Sequence, residues 1–576
     1  MTRILDIILI LVASFLFFSC ENDVLDKEPL GLISNDNVWQ NENLVNLKLN
    51  ESYKESLFLN MGGNSGFEAG LDGNMAGEFK NYAGWQTPNR ASTGIIDETG
   101  SPAGAVQNWD YSLLRDINDI ILNLETVSTL NEDFKEARIS EARFLRAYLF
   151  FHMVKRYGGV PILTKPQSLE ATPEELFVFR NSEEEVYDFI ISETEAISEI
   201  LPETPSQGRP SKWAALALKS RAALYAGSIG EYGAVQLDGL LGISNPDKYW
   251  QIAYDTSKKI INESGHALYM KYDDKVKNFQ ELFIDEESNS EVIFAESFDA
   301  TLNSHSWNFL ALPQPFDSGW ASNFFVFYDT VELFDFADGT SGKVDRSTVD
   351  GQEIDLDEFF GTRDPRFIAS IFYPGSDWMG DHVYFHDNTI NIEDAPDGWE
   401  ARAAEKNRNL SNGTGFLVRK RIDESHVKPA KNTDDTDYIV FRLGEIYLNL
   451  AEAAFHIQGK KNEALTNINI IRERAGMPAR TELTLDNIQQ ERRVELFAED
   501  QAYWDLRRWR IAKEVLDGVK LQGLKYTYNG TTGKYYIEMR RGESTGPRVF
   551  QERHYYLPLT VGRINDNPNL VENPGY

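Results

Sequence analysis

The sequence predicts a mainly α-helical chain in which tandem helical hairpins scaffold a large, irregular, loop-rich region. Three observations carry this. Apolar residues recur at three- and four-residue spacing through much of the first 270 residues and again from about 441 to 515. Glycine and proline close those stretches where a helix has to stop. Between Lys271 and Lys431 the helical spacing fades, while Gly, Pro, Asp, Asn and aromatic residues accumulate. Loops that long inside a folded chain are uncommon and usually carry function.

Composition sets the outer limits. At 576 residues the chain exceeds one ordinary domain, and 41% hydrophobic with 26% charged residues is a globular balance. The 57 basic and 90 acidic residues leave a net charge of −33, which excludes nucleic acid as the main partner because phosphate binding needs a basic footprint. The single Cys rules out an internal disulfide and any Cys-rich metal site.

In chain order, Ile7 to Phe18 is an uncharged apolar run. It is too short to cross a hydrocarbon core of about 30 Å and has the length of a signal-peptide core. Leu16-Phe17-Phe18-Ser19-Cys20 resembles a bacterial lipobox, which assigns residues 1–19 to a leader and Cys20 to lipidation. Residues 20–35 read as an acidic tether. From 36 to 270 helices are expected at Trp109–Val127, Phe134–Tyr157, after the Asn181-Ser182 cap to Ile200, Trp213–Ala226 and Tyr249–Glu263. Residues 271–440 form the irregular insert. Helices return over 441–515 at Glu445–Gln458, Glu463–Ala475 and Leu485–Ile511, and small residues such as Ala451, Ala453 and Ala454 make these hairpins look tetratricopeptide-like. Residues 516–576 read as a loop-rich cap.

Several motifs in order carry a family resemblance. Glu141-Ala-Arg-Phe-Leu-Arg-Ala-Tyr-Leu149 leads to Tyr157-Gly-Gly-Val-Pro161, and Arg209-Pro-Ser-Lys-Trp213 opens the next helix. Arg442-Leu-Gly-Glu-Ile-Tyr, Glu491-Arg-Arg-Val-Glu-Leu-Phe-Ala-Glu499 and Trp504-Asp-Leu-Arg-Arg-Trp509 follow, then Leu557-Pro-Leu and Asn573-Pro-Gly-Tyr576. Together they resemble the SusD/RagB family of outer-membrane nutrient-binding lipoproteins. The resemblance implies a SusD-like fold, an oligosaccharide ligand and no catalysis or cofactor. It also implies a SusC-like TonB-dependent β-barrel partner and a lipid anchor facing the cell exterior. A minority branch of the family implies a peptide ligand instead, with the chain acting as a RagB-type lid.

Sugar rings present C–H faces rimmed by hydroxyls, so flat aromatic platforms flanked by amides and carboxylates suit them. The loop aromatics fit that pattern: Tyr82, Trp85 and Asn89 between two helices, Trp307 with Asn303, Trp320 with Asp317, and Trp378. Trp109, Trp213, Trp250, Trp504 and Trp509 are expected in the core. Glu495 and Glu499 could imitate a glycosidase acid/base pair. Buried on a helix they instead need cations from a neighbour, with Arg143 or Arg146 as candidates. His382 and His386 lack a metal-binding context, and no metal is expected.

Overall fold

The computed structural model describes residues 35–56, 69–99, 106–168, 170–287, 289–313, 322–384, 386–396, 413–543 and 546–576. The leader, Cys20, most of the tether, Asp317 and Trp320 lie outside them.

Most of the expected helices form, and others join them. They are α1 (Glu42–Glu55), α2 (Leu71–Ala76), α3 (Thr87–Thr93), α4 (Tyr111–Thr126), α5 (Glu132–Tyr157), α6 (Glu183–Ser198), α7 (Lys212–Tyr232) and α8 (Pro246–Glu263). After the irregular stretch come α9 (Leu443–His456), α10 (Lys461–Arg474), α11 (Leu485–Glu495), α12 (Ala502–Arg508) and α13 (Val561–Asp566). Caps fix the starts: the Asp110 carboxylate accepts from the N–H of Leu113, and Ser182 with Glu185 forms a capping box on α6. Gly158, at φ 72°, ends α5.

From α4 to α10 successive helices pack side by side, with α8 laid against α9 across the sequence gap. Gly227 makes one of these approaches possible, since a Cβ there would meet the Trp250 ring at 2.8 Å. This stack buries the larger core, including Phe144, Tyr187, Trp250 and Trp504.

The irregular half has its own core and small sheets. Strands β1 (Phe79–Asn81), β3 (Phe324–Val326), β7 (Leu417–Val418) and β5 (Ile371–Phe372) pair in that order, with Phe79 opposite Val326. Strand β8 (Tyr438–Arg442) pairs antiparallel with β2 (Val292–Glu296) and leads directly into α9. A second sheet runs β4 (Gln352–Ile354), β10 (Tyr535–Arg541), β9 (Gln522–Asn529), β6 (Asn388–Ile390).

Two expectations need correction. The last 60 residues hold the long β9–β10 hairpin, turned at the Gly530-Thr-Thr-Gly segment, as well as loops. The alternation Leu524, Tyr526, Tyr528 against Tyr535, Ile537 and Met539 is its period-2 signal. The second concerns Leu485–Ile511, which is not one helix. Ala498 and Asp500 adopt left-handed φ of 56° and 58°, and the chain turns between α11 and α12. The break lets Phe497 enter the irregular core while Tyr503 and Trp504 enter the helical one.

Around that turn lies a buried network of charges. Arg442 donates to Glu495 at 2.7 Å, Glu499 at 2.7 Å and Glu291 at 2.9 Å. Arg366 reaches Glu495 at 2.9 Å, Lys420 reaches Glu499 at 2.7 Å, and Arg474 joins Glu291 and Glu495. Arg366 also pairs with Asp364 and Glu491. Glu495 has no exposed surface. Burial alone would raise its carboxyl, yet Arg474, Arg442 and Arg366 hold it well below the usual range. The partners are therefore not Arg143 and Arg146, which pair with Glu193. Arg492 bonds Asp505 at 2.7 Å, and Arg508 bonds the same carboxylate at 2.8 Å.

Removing one member of such a network strands a buried charge, at a cost of about 3–5 kcal/mol. Arg442→Met is expected to lower the urea midpoint accordingly. Lys525→Ala, which breaks the exposed pair with Glu538, is expected to leave the midpoint unchanged within error. Equal midpoints for wild type and Arg442→Met would contradict the role given to the network.

Candidate functional site

Among the described tryptophans Trp85 stands out, with 62% of its surface exposed. It sits on the turn between β1 and α3. The Gln86 N–H closes that turn on the Ala83 carbonyl at 2.9 Å, and the Gln86 side-chain oxygen accepts from the Ala83 N–H at 2.7 Å. Asn89 braces it from below, donating to the carbonyls of Asn81 and Ala83 at 2.8 Å each and accepting from the Asn81 N–H at 3.1 Å. A ring carried on a turn with that many internal bonds loses little freedom on binding.

The turn is also tied to the irregular half. The Gln86 amide donates to Asn323 at 3.0 Å. The N–H groups of Ser322 and Asn323 donate to the carbonyls of Leu312 and Leu310. Asp317 and Trp320 lie outside the described residues. Tyr82, half-buried, lies 6.2 Å from the Phe325 ring on the same turn.

Other expected contact residues are placed differently. Trp307, 3% exposed, stacks on Phe324 at 4.8 Å and lies under the Arg421 guanidinium at 3.9 Å. Its indole N–H donates to the Lys420 carbonyl at 2.9 Å. Trp378 is 1% exposed and packs edge-on against Phe372. Neither presents a ring face to a sugar, because each fills the irregular core. Asn89 is likewise consumed by the turn it braces. Asn303 is half-buried in a tight turn closed on Asp299, and its side-chain amide donates to the Ser297 carbonyl at 3.3 Å.

Two family models match the chain: the SusD family over residues 290–576, and a family described as starch-binding, associating with outer membrane, over residues 73–224. The chain belongs to the SusD/RagB family. A SusD-like protein of Formosa agariphila is 24% identical over 100% of both chains. A SusD-like protein of Bacteroides fragilis, known from its crystal structure, is 26% identical with a TM-score of 0.73, covering 96% of this chain and 100% of that one. A SusD-like carbohydrate-binding protein of the same organism shares the fold at 24% identity and a TM-score of 0.71, covering 93% and 100%.

In this SusD-like chain the carboxylates with catalytic spacing are engaged elsewhere, since Glu495 and Glu499 are bonded to arginine and lysine inside the fold. His382 and His386 do not converge: His382 bonds the Gly375 carbonyl and His386 the Thr389 hydroxyl. One cluster among the described residues has metal-ligand composition, His426 with Asp434 and Asp435. The Asn308 oxygen accepts from the Asp423 N–H, so its amide nitrogen faces His426 Nδ1 at 2.8 Å. Nδ1 is then the acceptor, and Nε2 carries its hydrogen toward Asp435 at 3.4 Å and Asp423 at 3.6 Å. A cavity of about 1120 Å³ beside Tyr232, Arg510 and Tyr556 is no ring platform either. Tyr556 turns its hydroxyl inward to Glu183 at 2.7 Å and is 6% exposed.

Just before β1, Glu78 is 2% exposed. Burial pushes its carboxyl up to about 8, opposed by Arg493, the Ala498 N–H and Lys420 and reinforced by Asp500. Folding therefore keeps this proton well above the pH at which an unfolded glutamate releases it. Its contribution to stability is complete below the ordinary value of 4.5 and is lost as pH rises through about 8. The melting temperature of wild type is expected to fall more steeply between pH 5 and 9 than that of Glu78→Gln. Parallel profiles would contradict the assignment.

Proposed function

We propose that this chain captures a neutral oligosaccharide at the cell exterior and delivers it to a SusC-like TonB-dependent β-barrel transporter, without catalysis. The exposed Trp85 ring on its braced turn carries the proposal. A flat ring held still offers a stacking face to the C–H side of a sugar, and the polar groups around it can serve the hydroxyl rim. Tyr82, Trp320 and Asp317 are the proposed companions, and Asn303 a more distant one. The description of the matched family and the carbohydrate-binding structural relative support a glycan ligand. Lipidation of Cys20 would hold the protein at the outer membrane, the acidic tether giving it reach. The net charge of −33 favours neutral chains over polyanions.

On a panel of neutral glycans, Trp85→Ala is expected to weaken binding of the recognised oligosaccharide about tenfold or more by calorimetry, with no change in melting temperature. Trp307→Ala is expected to lower the melting temperature, because it opens a core cavity. Unchanged affinity in Trp85→Ala, or recognition of peptides and not glycans, would overturn the reading.

A further inference from the structure

A cavity of about 400 Å³ lies between the start of α4, the loop over 161–168 and α13. It shares no residue with the Trp85 turn. Its walls are largely apolar and include Trp109, Tyr111 and Leu114. Trp109 was expected in the core, but it precedes α4 and is half-buried, its ring tilted 5.1 Å from Tyr111 and edge-on to Tyr157. The Tyr111 hydroxyl donates to the Pro161 carbonyl at 2.7 Å, which fixes that wall to the loop.

Three cations line the same space: Arg115, Lys165 and Arg563. Arg115 and Lys165 are exposed and form no ion pair or side-chain hydrogen bond among the described residues. Arg563 lies 5.3 Å from the centre of the Trp109 ring and donates to Gln107 at 2.9 Å, again with no carboxylate partner. Asp566 is the one acidic residue in the lining. In a chain with 90 acidic residues against 57 basic ones, cations have an excess of possible partners. Three that have no carboxylate partner among the described residues and line one apolar-walled cavity are the reverse of the surrounding charge pattern.

We propose that this cavity is a second binding site, for a small amphiphilic anion. Its carboxylate, sulfate or phosphate group lies among Arg115, Lys165 and Arg563, and its apolar or aromatic body lies against Trp109, Tyr111 and Leu114. Guanidinium forks match the geometry of such oxyanions, and the ring beside Arg563 keeps that cation in place. The volume falls in the range of small-molecule sites. A long polyanion would have to run over acidic surface on leaving the cavity, whereas a small anion needs only the local cations. Screening beyond about 8 Å lets those cations outweigh the distant negative charge.

Calorimetric titration of the full chain with phenyl phosphate, inorganic phosphate and benzyl alcohol tests this. Phenyl phosphate is expected to bind saturably at one site, about tenfold or more tighter than inorganic phosphate or benzyl alcohol alone. Arg115→Gln and Lys165→Gln, both exposed substitutions, are each expected to weaken it several-fold without shifting the melting temperature. Saturable binding that survives both substitutions unchanged would overturn the proposal. So would benzyl alcohol binding as well as phenyl phosphate, or no saturable binding of any probe.

Discussion

Charges taken out of water have to be paired, and in this chain that requirement joins the two halves. Arg442 ends β8 and begins α9, Glu495 and Glu499 flank the turn after α11, and Lys420 and Arg366 come from the irregular region. No single element could neutralise this set. The set is complete only when the two halves come together, since Arg366 and Lys420 reach Glu495 and Glu499 from the irregular region, and a lone buried carboxylate or guanidinium costs several kcal/mol. The left-handed residues Ala498 and Asp500 belong to the same solution. They swing the chain so that two glutamates of like sign reach shared cations, and Phe497 crosses into the second core.

That junction has a consequence at the surface. β1 pairs with β3 and so belongs to the irregular half, while α2 just before it packs against α12 of the helical half. The Trp85 turn follows β1 directly, and Gln86 ties it to Asn323. Its ring is thus presented from the seam between the halves, where both cores restrain the backbone. A mobile turn would pay an ordering cost with each ligand; the backbone that carries this ring is already placed.

Much of the helical half was legible in the sequence. Leu113, Ile117, Ile120, Ile121 and Leu124 repeat on one face, and Ser182, Ser211 and Gly158 mark ends with a local physical cause. What stayed hidden depends on contacts distant in sequence. Nothing within Leu485–Ile511 forbids a continuous helix, since Ala498 is a good helix former; the break comes from where Phe497 and Glu499 have to go. The β9–β10 hairpin was visible as alternation but was masked by the surrounding Gly, Asn and Thr. Among the loop aromatics, composition could not separate Trp85 from Trp307 and Trp378. A tryptophan beside Asn and His reads alike whether it caps a core or faces solvent. The cluster of Arg115, Lys165 and Arg563 spans nearly the whole chain in sequence, so only the fold brings it together.

The central claim is that paired buried charges make the helical and irregular halves one cooperative body. Native-state amide hydrogen exchange, followed with rising urea, tests it most directly. The account predicts that the protected amides of β3 and of α7 converge on one opening free energy, and that Glu495→Gln lowers both together. Opening of β3 at a lower free energy than α7, with α7 unaffected by that substitution, would contradict it.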